Sequence, residues 1–296
     1  MLDYISQEAT KSNITCHPGT RLGWMKDSNG YEVKVIADSI NKFGSRLTTI
    51  TARYPRFVHS EMMTHREFSR NAASSRAIPI SKIIKQVQNN PAMPYKWQKN
   101  QSGMQGGDNI ENIVQAQNDW IRSSQLAIEQ AKRLNDIHCH KQICNRILEP
   151  FVWITTVISS TNWNNFFHLR CSDLADPTIR HIAEMIRYVI ENNEPVQLDN
   201  NEWHLPFITQ EDINNYSSEY LKRISVARCA RVSYLNHEIK DIKKDLELAV
   251  RLEQSGHWSS FEHVAKPTYF DGNRQNGNFH ESWLQYRKTF EKEYVK

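Results

Sequence analysis

The chain has 296 residues, of which 39% are hydrophobic, with 8 Trp, 11 Tyr and 11 Phe. That is enough to bury a substantial core in one large domain or two smaller ones, and it excludes a disordered chain. Its net charge of +4, from 37 basic and 33 acidic residues, leans toward small anionic ligands and lacks the basic excess of a nucleic-acid protein. No apolar run approaches the roughly 18 residues that a membrane span needs. The segment Met1-Leu2-Asp3-Tyr4 lacks the basic and apolar blocks of a secretory signal. A soluble protein of the cytoplasm, without membrane or nucleic-acid partners, is the expectation.

In chain order, the first 30 residues carry His17-Pro18-Gly19 and Asp27-Ser28-Asn29-Gly30 and read as an irregular or hairpin lead-in. Tyr31 to Ala37, with Val33 and Val35 on one face, and the Thr/Ile-rich stretch Arg46 to Ala52 read as strands. Pro55 suits the first position of a helix running to about Phe68, with Phe57, Val58, Met62 and Met63 as its apolar side. Asn89 to Asn109 holds Pro91, Pro94, Gly103, Gly106 and Gly107 and reads as a long loop of the kind that covers binding sites. Helices are predicted over about Ile110 to Asn135 and Ile137 to Leu148, with Pro150 ending or kinking the second. Phe151 to Ser160 is a buried strand or a helix segment, which pattern alone does not decide. A helix from about Pro177 to Asn192, capped by Asp176, and a connection broken by Pro195 and Pro206 follow. A last helix is predicted from about Asp241 to Ser255, closed by Gly256.

The five cysteines, Cys16, Cys139, Cys144, Cys171 and Cys229, form no Cys-x-x-Cys pair and read as reduced thiols. His140 and Cys144 would share a helix face, but His138 and His140 would point apart, so no metal site is assigned to that cluster.

The densest polar segment is Thr64-His65-Arg66 followed by Ser69, Asn71, Ser74, Ser75 and Arg76. Guanidinium forks and consecutive backbone N–H groups in a turn of small residues suit a phosphorylated ligand. The same residues would also make a solvated helix end with a polar loop.

The run from Thr64 to Arg76 resembles the signature of the flavin-dependent thymidylate synthases: Arg-His-Arg, a seven-residue gap and Ser, closed by Ser-Gly-Arg. Arg146-Ile147-Leu148-Glu149-Pro150 and the run Asn162 to Arg170 are similar to the family's Arg-Ile-Val-x-Pro and its Asn-x-x-Asn-Leu-Arg ending. Arg228 to Tyr234 and Gly256 to His263 resemble its Arg-Ala-Ala-Arg-Val-Ser-Phe and Gly-His-x-Thr-Pro-Phe-Glu-His. In the family this last pair precedes the His-Arg segment, whereas here it follows, so the order looks circularly permuted. Permutation is tolerated where termini lie together at a surface. It predicts a join at about 191–222 and a C-terminal strand and helix that return to the same sheet.

The resemblance implies an α/β (α+β) fold with a mixed or antiparallel sheet flanked by helices, in one catalytic domain over 1–296. Within it, 1–190 carries the first two segments, 191–222 connects, and 223–296 carries the permuted one. It also implies FAD as cofactor, NADPH and methylenetetrahydrofolate as co-substrates, methylation of dUMP at C5 to give dTMP, and a homotetramer with shared active sites. Carried over residue by residue, His65 and Arg66 would face the flavin, as would Asn165. Ser74, Ser75 and Arg76, with the Glu61 position, would grip the nucleotide. Arg146 would hold its phosphate. Arg170 would contact the pyrimidine and act catalytically by stabilising negative charge on the ring. Ser233, His257, Ser259 and Glu262 would lie around flavin and folate. No metal is implied.

The departures fall largely on the substrate side. The first Arg of the signature is Thr64, the family's Gln is Glu61, its Glu is Ala72, and an aromatic residue is replaced by Ala77. They motivate a second reading, a hydroxymethylase or methylase acting on dUMP or dCMP. A third, of another class, is a non-catalytic flavin- or nucleotide-binding paralogue.

Overall fold

The computed structural model describes residues 15–16, 23–234, 241–269, 277–279 and 282–291; the His17-Pro18-Gly19 turn lies outside them. β1 (Thr15–Cys16), β2 (Trp24–Lys26), β3 (Glu32–Asn41), β4 (Arg46–Pro55), β5 (Ser69–Ala72), β6 (Trp153–Ser160) and β7 (Val196–Leu198) form one sheet. Its order is β1-β2-β3-β4-β6-β5, antiparallel throughout, with β7 added parallel to the end of β3. The fold is thus mixed α/β with a largely antiparallel sheet flanked by helices, as expected.

The strands predicted at Tyr31 and Arg46 are β3 and β4. Between β2 and β3 the Asp27 carboxylate accepts the backbone N–H groups of Asn29, Gly30 and Tyr31 at 2.8–3.0 Å. Gly30 has φ +112°, a conformation that glycine adopts without a Cβ clash. Phe151 to Ser160 resolves as β6, which lies between β4 and β5 with both faces covered. Its near-continuous burial explains why alternation was absent from the sequence.

Of the helices, α1 is His59–Met63, α2 Ile80–Asn89, α3 Ile113–Asp136, α4 Lys141–Leu148 and α5 Asn164–Arg170. They continue with α6 (Pro177–Glu191), α7 (Gln210–Asn215), α8 (Ser218–Arg231) and α9 (Ile242–Gln254). Asp176 caps α6, accepting from Thr178 N at 2.8 Å and Ile179 N at 3.3 Å, with Pro177 at the first position. Its Ile179, Ile182 and Ile186 are fully buried against Ile50, Ala52, Ile154 and Ile158 in one core. Each such side chain contributes roughly 1.5–3 kcal/mol of burial. Gly256, at φ +69°, closes α9 as predicted: Gly256 N reaches Glu253 O at 3.2 Å and His257 N reaches Leu252 O at 2.9 Å.

The opposite face of the sheet carries hydroxyls. Thr49, Ser159 and Ser69 stand in register across β4, β6 and β5, each fully buried. Three side chains from later in the chain dock on this row. His204 lies 2.7 Å from Thr49 Oγ1, His263 2.8 Å from Ser159 Oγ, and Gln285 donates to Ser69 Oγ at 3.0 Å. Trp283, fully buried, packs on Leu47 beside them.

Two expectations are corrected. The helix expected from Pro55 to about Phe68 is short. Pro55 ends β4 opposite Trp153, a 3-10 turn covers Arg56–Val58, and α1 stops at Met63. The Arg70 guanidinium ends it by donating to the carbonyls of Met62, Met63 and His65 at 2.9–3.1 Å, which frees the chain to turn into β5. The connection after Asn192 holds β7 and α7, the latter started by a Thr209–Asp212 capping box. α8 begins at Ser218, inside the stretch expected as the join. Finally, the C-terminal strands do not return to the main sheet. β8 (Ala265–Pro267) and β9 (Trp283–Gln285) pair with each other and dock on its face through the polar row.

Within α8, Arg228 is only 1% exposed and lies between Asp212 (2.6 Å) and Asp245 (3.2 Å); Arg231 also pairs with Asp245 at 2.7 Å. From Ile224 to Arg231 the helix is buried all round, and its inward arginines erase any apolar stripe from the sequence.

Candidate functional site

The first group of side chains is built by α1, the turn after it and the last residue of α5. Arg170 uses its whole fork: Nη1 donates to Glu61 Oε2 at 2.6 Å, Nη2 to Thr64 Oγ1 at 3.1 Å and Nε to His65 Nε2 at 3.1 Å. His65 is 6% exposed and packs on Phe68 and Phe166, with ring centroids 5.6 and 4.9 Å away. Burial, with Arg170 and Arg70 beside it, lowers its pKa to about 4. The ring is therefore neutral, and because Nε2 accepts from Arg170 its proton sits on Nδ1. Burial raises the Glu61 carboxyl; Arg170 opposes that shift and Asp176 adds to it. Glu61 and Arg170 thus meet directly, and an anionic ligand would compete with Glu61 for the guanidinium.

A second group surrounds the serine turn. Ser75 Oγ donates to Glu149 Oε1 at 2.8 Å, the same oxygen lies 3.1 Å from Arg56 Nη2, and Arg146 Nη1 is 4.0 Å away. Asn145 fixes the turn by donating to Ser75 O and Ile78 O at 2.7 and 3.0 Å. Ser74 N donates to Ser233 O at 3.0 Å, so the first and third sequence segments touch. Arg76 is exposed, and so are Arg66 and Asn165.

The third group lies along the free edge of β5. The amides and hydroxyls of Asn71 and Ser259 are 3.1 Å apart, and the Asn71 amide is 3.1 Å from His263 Nε2. With its nitrogen toward His263, the Asn71 amide has that ring and the carbonyls of Arg70 and Ser259, all at 3.1 Å, as acceptors around its two N–H bonds, and its oxygen accepts from Ser259 Oγ. In that orientation His263 Nε2 accepts, and its Nδ1–H donates to Ser159. His257 is exposed, and its ring Nδ1 lies 2.8 Å from the nearby Ser255 hydroxyl. Glu262 is engaged by Arg287.

The sequence-predicted residues therefore divide. Glu61, His65 and Arg170 are brought together, as are Ser75 and Arg146 around Glu149. Ser74 meets Ser233 through the backbone. Arg66, Arg76, Asn165, His257 and Ser259 present exposed side chains, while Glu262 is held in an ion pair. Sequence reasoning gave no role to Arg56, Glu149 and His263, and placed Asn71 only in the polar run after His65. Glu149 stood inside the quoted Arg146–Pro150 run, three residues from Arg146, the spacing at which helical neighbours meet. The cysteine and histidine cluster is used locally: His140 caps α4 by accepting from Gln142 N at 3.3 Å, and the Cys144 thiol bonds to Cys139 O.

The 89–109 segment is folded. Gln98 and Asn109 form a bridge, and Tyr95 stacks on His181 with centroids 4.0 Å apart. With the start of α6 it encloses a cavity of about 380 Å³ whose wall includes Asp173, Asp176, Arg180 and Glu184.

No family model matches the chain, and no curated protein does. Among solved structures, it is similar to the UMP/dUMP methylase PolB from Streptomyces cacaoi. Against the form bound with 5-Br dUMP the TM-score is 0.40 at 18% identity, covering 49% of this chain and 66% of that one. Against the form bound with 5-Br UMP the TM-score is 0.41 at 19% identity, covering 49% and 69%. The chain spans just under two thirds of the first of these neighbours. Among the described residues no helix is long and apolar enough to cross a membrane.

Proposed function

We propose that this chain is an enzyme that modifies a pyrimidine deoxynucleotide monophosphate, in the manner of the flavin-dependent thymidylate synthases it resembles. The reaction would be C5 methylation of dUMP to dTMP, with methylenetetrahydrofolate as carbon donor and NADPH as hydride source. One observation carries the reading: segments far apart in the sequence converge around β5. Arg170 meets Glu61 and His65, Ser74 meets Ser233, and Asn71 meets Ser259. A dispersed site needs such convergence, and a solvated helix end does not.

In this reading Arg170 faces the pyrimidine edge, where a guanidinium stabilises negative charge as the ring is activated. Ser75, Arg56 and Arg146 are the donors suited to the phosphate. Arg66, Asn165, His257 and Ser259 keep exposed hydrogen-bonding groups and fit a flavin. The buried, neutral His65 orients Arg170 instead, and Glu262 is committed to Arg287. FAD, when bound, would supply the redox chemistry. A homotetramer with shared sites and a place in the cytoplasm belong to the same reading.

A second reading, hydroxymethyl or methyl transfer to dUMP or dCMP, is favoured by Glu61. A carboxyl beside Arg170 is an acceptor suited to an amino group on the ring edge. The test is incubation with dUMP or dCMP, methylenetetrahydrofolate, NADPH and FAD, with products identified by mass spectrometry. Formation of dTMP alone rejects the second reading. A purified protein without absorbance near about 450 nm, even after FAD is added, and without product, rejects both in favour of a non-catalytic paralogue.

A further inference from the structure

The serine turn and the arginines around it form a cradle for an anion, and that cradle already holds one. A single oxygen, Glu149 Oε1, accepts from Ser75 Oγ at 2.8 Å, pairs with Arg56 at 3.1 Å and has Arg146 at 4.0 Å. One hydroxyl and two guanidinium groups around one anionic oxygen is the donor set of a phosphate monoester. The crevice that Glu149 shares with Arg56, Ser75 and Asn145, walled otherwise by apolar side chains such as Ile78 and Ile154, has a volume of about 10 Å³. That is room for about one water, so a phosphate cannot enter on that side while the carboxylate keeps its place.

Of the donors, Ser75 is the fixed one; the Arg56 side chain is 22% exposed and that of Arg146 63%. Ser75 is tied down by Asn145, itself fully buried, and Arg56 stands at the end of β4. Glu149 has a path to solvent as well. It opens a 3-10 turn, and its side chain is 24% exposed, so rotation about its own bonds carries the carboxylate to water. Charge supports the exchange. Two arginines and Glu149 leave the cradle at +1; a phosphate dianion in place of Glu149 brings it to neutrality.

We propose that Glu149 is a built-in occupant of the phosphate site, and that this chain takes the phosphate of its nucleotide only when that side chain swings aside. Glu149 thereby sets the affinity for phosphorylated ligands. The inference rests on the nucleotide reading above for the identity of the ligand, but not for the existence of the cradle.

The test is calorimetric titration of wild type, Glu149→Gln and Glu149→Ala with inorganic phosphate, dUMP and the uncharged deoxyuridine. Removing a like charge within about 4 Å of the ligand is expected to tighten phosphate and dUMP by about tenfold or more. Deoxyuridine should bind unchanged, and Arg56→Gln added to Glu149→Ala should cancel the gain. Unchanged phosphate affinity in folded Glu149 variants overturns the inference. The wild type supplies a reading without mutation: saturating phosphate should protect Arg56 and Arg146 from phenylglyoxal, mapped by mass spectrometry, and no protection also overturns it. If Glu149→Ala gains phosphate affinity but binds dUMP no better than phosphate, the cradle stands and the nucleotide reading falls. If wild type binds dUMP tightly and Glu149 variants alter nothing, the reading stands and this inference falls.

Discussion

Lowering the pH from about 7.5 to about 5.0 asks the fold to keep two rings neutral that an unfolded chain would protonate. His204 and His263 are 1% and 0% exposed, at the polar seam where the C-terminal segment meets the sheet. Burial lowers both to about 3, with His263 adding to the shift at His204. The unfolded value is about 6.5. Because the folded values are depressed, the unfolded chain binds more protons below pH about 6.5, so stability falls as pH falls through that window. Over about 1.5 pH units at roughly 1.4 kcal/mol each, every such histidine costs about 2 kcal/mol at pH about 5, and the pair about 4 kcal/mol. His59 and His65, lowered to about 4 by burial and neighbouring arginines, act in the same direction. A single domain has about 5–15 kcal/mol in total, so the loss is large. Urea unfolding followed by tryptophan fluorescence at the two pH values measures it. In His263→Gln, which keeps a donor and an acceptor but cannot titrate, the acid loss should shrink by about 2 kcal/mol. A wild type losing less than about 1 kcal/mol, or a variant losing as much as wild type, would refute the reasoning.

Three further outcomes are expected. Thr49→Val removes a hydroxyl shared by Ser159 (2.5 Å) and His204 (2.7 Å) and should cost about 1–3 kcal/mol in the same urea assay at pH about 7.5. Asp245→Asn leaves the buried Arg231 guanidinium without its carboxylate and weakens the hold on Arg228, so a loss of about 3–5 kcal/mol should appear in its unfolding curve. Arg170→Lys exchanges a fork engaged with Glu61, Thr64 and His65 for a point charge. It should weaken dUMP binding about tenfold or more by calorimetry, while stability moves by no more than about 1 kcal/mol because the ion pair is partly solvated.

Local signals were legible where the chemistry is local. Asp176-Pro177 and Gly256 marked the ends of α6 and α9 because caps are decided within a few residues. β3 alternates and was read; β6 does not, since both its faces are covered. The short α1 was over-extended because what ends it is Arg70, a side chain reaching back from the next strand. α8 left no periodic trace because two of its inward residues are arginines, matched by carboxylates on other helices. At the site, the resemblance brought Arg170, Glu61 and His65 forward, but nothing in the sequence placed Arg56 beside Ser75. That neighbour is created by the crossing of β4 and the turn before β6.

The polar seam also bears on the site, because its last members are shared. From Ser39 the hydrogen bonds run through His204, Thr49, Ser159 and His263 to Asn71, which stands beside Ser259. Each neutral imidazole can donate at only one nitrogen and accept at the other, so the Asn71 amide orientation fixes the direction of every bond in the row. With its nitrogen toward His263, all donors run one way, and both rings carry their protons on Nδ1. The row then does two jobs with one set of residues. It satisfies buried hydroxyls that would otherwise each cost about 1–3 kcal/mol, and it holds the Ser259 turn against β5, where the third sequence segment meets the first. The C-terminal segment needs such an attachment, since β8 and β9 add no strand to the main sheet. Docking across a face through side chains replaces the backbone pairing that a shared sheet would have supplied.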